Sequence, residues 1–242
     1  MSRILNINLS SLIFLLLFIS CANAHGQPVG ELSFIIGDVF VSQGGNSWAE
    51  ADFDIKIYNG DKVKTGVDSK CEITLYAGTI VRMDENSIQK FEKSKSDKSQ
   101  KDSSLFLAIG KIWVKSRKLT AKDESFQVRT DKAVCSIRGT TFQVNAEKET
   151  TRVSVFTGKV ATWSSLFDKT KKKIKVNVKV TRPVPVLGPK PVSVEKWVEI
   201  VKSFQEITFD SNGHFIKIDL DAKKVERDPW ISWNMKRDKI ME

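Results

Sequence analysis

Two stretches decide how this chain is read: TGVDSKCEITLYAGTIVRM at Thr65–Met83 and TDKAVCSIRGTTFQV at Thr130–Val144. Each runs Thr, a short polar turn, Cys, an Ile two residues later, then Gly-Thr and alternating apolar positions, so the second reads as a copy of the first. Alternation with a period of two marks strands that bury one face. It extends outward through Val39 and Val41, Val63, Phe126 and Val128, and Val153 and Val155. A third pattern is interleaved, in Gly37-Asp38-Val39, Gly110-Lys111-Ile112 and Gly158-Lys159-Val160, where glycine and a charged residue stand between an apolar approach and a new strand. These read as turns of repeated hairpins. The fold expected is mostly β, with repeated hairpins or stacked sheets over residues 30–165.

Cys71 and Cys135 occupy the same position of the two copies. If the copies stack, the two thiols come within bridging range and form a disulfide; the alternative is a pair of small buried side chains that never meet.

The N-terminus looks like an export signal. Arg3 is the only charge ahead of the apolar run Leu12–Ile19, and Ala22-Asn23-Ala24 supplies a small-x-small cleavage pattern. Residues 1–24 are therefore expected to be removed, leaving an exported chain, periplasmic or associated with the outer membrane. The competing reading is a lipobox at Phe18-Ile19-Ser20-Cys21, with Cys21 lipidated as an anchor. Either route ends outside the cytoplasm, where disulfides persist.

The 242 residues carry 39 Lys and Arg against 29 Asp and Glu, a formal charge of +10. With only His25 and His214, and Cys21, Cys71 and Cys135 at no short ligand spacing, no metal site is expected. No nucleophile elbow, phosphate-cradling loop or His-Glu-x-x-His is present, so neither catalytic residues nor a cofactor are expected. A pair of carboxylates acting on an envelope substrate is the remaining enzymatic reading. The positive excess concentrates in Lys90–Lys101, read as a loop, and Lys169–Lys179, read as a strand with a solvated lysine face. Residues 166–192 are expected to form a Lys-rich strand and a linker rich in proline.

Residues 193–242 are expected to be a small α+β tail. Val194, Trp197, Val198 and Val201 fall on one helical face behind Ser193, so Ser193–Phe204 reads as a helix, with a strand as the runner-up. Asn212-Gly213 lies between alternating apolar residues, a hairpin signal. Trp230 and Trp233, three residues apart, serve either as packing groups or as an aromatic contact for sugar or protein.

Taken together, Gly37-Asp38-Val39, Trp48, Asn59-Gly60-Asp61-Lys62-Val63, Thr65-Gly66, Ser69, Gly78-Thr79, Val81-Arg82-Met83, Ile137-Arg138-Gly139-Thr140 and Gly158-Lys159-Val160 resemble the FecR domain. The resemblance implies an extracytoplasmic β domain that works by contact and has no chemistry of its own. The family's namesake spans the membrane and controls a sigma factor through a cytoplasmic segment; this chain shows no such segment ahead of its apolar run, so the anti-sigma role is not carried over. The glycines and threonines read as structural, and Arg138 reads either as an intradomain ion pair or as a site for an acidic partner. The function expected is recognition or scaffolding in the bacterial envelope, as the sensing component of a signalling system with an envelope protein as partner. The alternative is a binder of cell-wall glycan or an anionic lipid surface; nucleic acid is not an expected partner.

Overall fold

A computed structural model describes residues 26–93, 102–117, 125–166 and 198–240. The signal segment, Cys21 and the Pro-rich stretch lie outside them, as does most of the two Lys-rich segments. The described chain is a sandwich of two sheets, as the alternation implied. Sheet I runs, in spatial order, β17 (Phe215–Asp219), β16 (Gln205–Asp210), β13 (Thr150–Thr157), β12 (Thr141–Ala146), β9 (Asp102–Ser116), β7 (Thr79–Met83), β6 (Lys70–Leu75), β1 (Gly30–Ile36) and β4 (Lys56–Ile57), all antiparallel. Sheet II runs β3 (Ala49–Glu50), β2 (Val39–Ser42), β5 (Lys62–Thr65), β8 (Ile88–Lys93), β9 again, β10 (Ser125–Arg129), β11 (Ala133–Ile137), β14 (Lys159–Ser164) and β15 (Glu199–Lys202). Within sheet II the β9–β10 pair is parallel.

β9 belongs to both sheets. Its first half pairs with β8 and β10, and its second half, from Gly110 onward, pairs with β7 and β12. Gly110 is the pivot, with φ at +98°. A Cβ there would overlap Ser87, whose Oγ accepts the Lys111 N–H at 3.0 Å. Only glycine fits both the backbone angle and the close approach.

The Gly-charged pattern was expected to mark hairpins, and the structure corrects this. β1 and β2, joined through Gly37, lie in different sheets; so do β13 and β14, joined through Gly158. All three glycines have positive φ, at +69°, +98° and +87°. They are corners at which the chain leaves one sheet for the other. Positive φ was readable locally, but whether the flanking strands pair depends on residues far away in sequence.

The last strands of the two copies, β7 and β12, do flank β9 in sheet I, but their first strands part, β6 remaining in sheet I and β11 joining sheet II. The leading threonines of the copies are buried turn knots. Thr65 Oγ1 donates to the Asp84 carbonyl at 2.6 Å, and Thr130 Oγ1 accepts the Ala133 N–H at 2.9 Å.

Core residues follow the pleat. Cys71, Met83, Ile112, Val144, Val153 and Ile207 form one continuous row across the inner face of sheet I. All are fully buried. In sheet II the inner row Phe91, Leu105, Val128, Cys135 faces them across the core. Cys71 and Cys135 are free thiols, so the bridge expected between the copies is absent. The reason is architectural: equivalent positions went to β6 of sheet I and β11 of sheet II and became apolar filling.

The C-terminal segment differs from expectation in one element. Glu199–Lys202 is strand β15, with Val201 turned into the core, and Ser193–Trp197 lies outside the described residues. Val and Ile favoured the strand that had been the runner-up, because an open edge beside β14 was present to receive it. The Asn212-Gly213 turn closes the β16–β17 hairpin, with Asp210 accepting the Asn212 and His214 N–H groups at 2.9 Å. Two helices follow, α1 (Ala222–Arg227) and α2 (Pro229–Ile240).

Candidate functional site: the outer faces of the two sheets

Residues at alternate positions point away from the core, and the two sheets treat them differently. Across sheet I the outward row is Phe34, Glu72, Arg82, Trp113, Gln143, Ser154 and Glu206. Glu72, Arg82 and Trp113 would face water if nothing covered them, yet they are exposed by 1%, 0% and 0%. Helix α2 lies over them. Its start is set by Asp228, whose carboxylate accepts the Trp230 and Ile231 N–H groups, and by Pro229 at the first helical position.

The contact is a network of two arginines and two carboxylates, joined at its margin by Lys115. Arg82 Nε donates to Glu72 Oε2 at 2.5 Å and Nη1 to Asp238 Oδ1 at 2.6 Å. Arg237 Nε donates to Glu72 Oε2 at 2.8 Å, and its guanidinium lies 3.9 Å from the centre of the Phe34 ring. Trp113 Nε1 donates to Asp238 Oδ2 at 3.1 Å, and Lys115 Nζ to the Asp238 carbonyl at 3.1 Å. Burial pushes the Glu72 carboxyl upward, but Arg237 and Arg82 outweigh it and hold it below its ordinary range. Trp230 and Trp233 stack at 5.5 Å beside this network. Trp230 is buried and Trp233 half-buried, so the two candidate binding residues of this segment are used here as packing groups.

The network was invisible in sequence. Glu72 between Cys71 and Ile73, and Arg82 between Val81 and Met83, look like ordinary outward positions. The readable signal was Asp228-Pro229, a helix start that the tryptophan pair drew attention away from.

The outer face of sheet II is different. One row carries Lys62, Lys90, Phe106, Arg129, Val134 and Trp163, and beside it lie Phe40, Lys64, Ile88 and Ile109. Except for Val134, all are half-buried or exposed, with Ile109 exposed by 46%. Lys64 Nζ sits 4.7 Å from the Phe40 ring and 5.0 Å from that of Trp48. Lys62 and Lys90 are directly opposite one another across β5 and β8. Like charges so placed destabilise a strand pair. This face is cationic and aromatic, with Glu50 and Glu92 as its acids at the margins.

Arg138, the remaining candidate, is exposed in the turn from β11 to β12. His214 belongs to the hairpin turn, its ring nitrogen 3.2 Å from Asp210 Oδ2. Among the described residues no group of acidic, His and Cys side chains has the arrangement of a metal site, and no helix is long and apolar enough to cross a membrane.

Residues 61–161, β5 to the first half of β14, match the family model described as FecR protein. Two crystal structures of a candidate anti-sigma factor from Parabacteroides distasonis, at 1.65 and 2.50 Å resolution, are similar to the chain. Each has 20% identity and a TM-score of 0.46, covering 68% of this chain and 62% of the other. The chain thus spans less than two thirds of the length of those proteins. No curated protein matches it.

Proposed function

We propose that this chain is a non-catalytic recognition or scaffolding protein of the bacterial envelope, exported by its N-terminal segment, and that it makes contact through the open face of sheet II as the sensing component of a signalling system. The carrying observation is the unbalanced Lys62–Lys90 pair on an aromatic face that α1 and α2 do not cover among the described residues. A partner with an acidic surface would relieve the repulsion and cover the apolar rings around it. The FecR match supports a role in contact and sensing. The Cys and His side chains among the described residues are tied into structure, which supports a protein without nucleophilic catalysis. Cys71 and Cys135 are buried thiols, Cys135 pushed up to about 12 by burial alone, and His214 is held in a turn.

The test places a photo-crosslinking amino acid at Ile109 in cells that make the full chain. Capture of one envelope polypeptide, lost in Lys62→Glu/Lys90→Glu and weakened by salt, is the expected result. Recovery of cell-wall polymer or lipid instead of a protein would establish the alternative binder. Labelling unchanged by the double variant would overturn this face as the site. The N-terminal peptide of the same sample, beginning at His25 or at a lipidated Cys21, reads the export route.

A further inference from the structure

β17 ends sheet I. It pairs with β16 on one side, and among the described residues no strand lies on the other. All five of its residues are exposed, Ile216 by 71% and Ile218 by 52%. An exposed edge rich in apolar residues is a template for pairing with another strand.

The hairpin fixes which backbone groups are unused. Asp210 N–H donates to the His214 carbonyl at 3.0 Å, and Leu220 N–H to the Phe204 carbonyl at 2.8 Å. Bonded and non-bonded pairs alternate along an antiparallel ladder. Residues 216 and 218 therefore spend their backbone groups on β16, and those of Phe215, Lys217 and Asp219 point out of the sheet. The side chains divide the other way. Ile216 and Ile218, opposite Thr208 and Glu206, are on the outer face; Lys217, opposite Ile207, is on the inner one.

We propose that a second copy of this chain docks on this edge, β17 against β17 and antiparallel, about a two-fold axis at Ile218. Such an axis keeps like faces together, so only registers centred on a residue are allowed. Centring on Lys217 would set two ammonium groups opposite each other, which is unfavourable. Centring on Ile216 would place Lys217 opposite Phe215 and leave Asp219 opposite Gly213. Centring on Ile218 places Lys217 opposite Asp219 of the second copy, twice, through the backbone groups that are free. The two Ile218 side chains then meet at a non-bonded pair, the closer kind, with Cα atoms about 4.5 Å apart. Within the chain, Lys217 Nζ donates to Glu199 at 2.8 Å and Asp219 accepts from Gln205 at 3.0 Å, so the pairs across the axis share groups already engaged on the inner face. A contact this short falls well below the standard interface of about 1,600 Å², so the pairing is weak and is best read by trapping.

The experiment uses the full chain with Cys21→Ser, which leaves only the buried Cys71 and Cys135 beside an introduced thiol. Ile218→Cys is expected to form a covalent dimer on mild oxidation at least tenfold faster than Ile216→Cys. Accidental collision predicts the reverse order, because Ile216 is the more exposed. Adding Lys217→Asp to the Ile218→Cys chain sets Asp against Asp and is expected to slow trapping at least fivefold; the further change Asp219→Lys restores it. Unchanged circular dichroism and melting across the set separate these effects from misfolding. Equal or faster trapping through Ile216→Cys, no trapping at either position, or failure of the second charge change to rescue would each overturn the proposal.

Discussion

Arg82 and Glu72 stand directly opposite each other on β7 and β6, and their 2.5 Å ion pair is buried on a face that sequence alone assigns to solvent. Removing one member leaves the others charged and desolvated. Glu72→Ala is expected to cost about 3–5 kcal/mol, the usual range for breaking a buried pair. Denaturant unfolding measures the loss, and faster proteolysis between β17 and α2 would show that the helix has come away.

The same carboxylate makes stability depend on pH. Its folded value is depressed below the unfolded value of about 4.3, so its contribution is present above that value and fades as pH falls through the folded one. The stability gap between the native chain and Glu72→Gln is expected to narrow from pH 6 towards pH 3. A constant gap would count against the arginines as the cause of the depression.

Gly110→Ala combines a backbone at φ +98° with a clash against Ser87. Its expected cost is about 3 kcal/mol or more, the upper end of the range for backbone strain with the clash added. Gly44→Ala is the control: φ is +65°, but nothing lies within 4 Å of an added Cβ, and the cost is about 1 kcal/mol. Thermal melts of the two variants side by side give the comparison.

Gln89 lies between Val63 and Leu107 on the inner face of sheet II, fully buried, with neither amide atom hydrogen-bonded. An orphaned buried amide costs about 1–3 kcal/mol. Gln89→Met, of similar length, is therefore expected to raise the midpoint of unfolding, and a lowered midpoint would mean that the amide finds partners in solution.

Neither Cys71 nor Cys135 is expected to react with a thiol reagent in the native chain, since burial raises both thiols away from the reactive thiolate. Both react once the chain is unfolded. A reductant leaves the melting temperature unchanged.

What the sequence made legible was parity. Alternation at Cys71, Ile73, Val81 and Met83 placed the inner face correctly, because a period of two is a local consequence of the pleat. What lies above the outer face is not local. Glu72 and Arg82 are covered by residues some 150 positions later, while Phe106 stays half-buried and Lys90 exposed, with nothing in their own strands to distinguish the two cases. The glycine corners failed for the same reason. Gly37 and Gly158 announced a reversal of backbone angle, and only the distant partners of β2 and β14 decide that the chain changes sheet there.

Because β9 joins the strands before it to those after it in both sheets, neither half of the sandwich is expected to unravel while the other stays intact. Breaking its ladder severs sheet I between β7 and β12 and sheet II between β8 and β10 in one event. A chain that looks like a tandem duplication is thereby one cooperative folding unit. Amide exchange should be slowest along β9, at the free energy of global unfolding, and the paired halves should share a single unfolding rate.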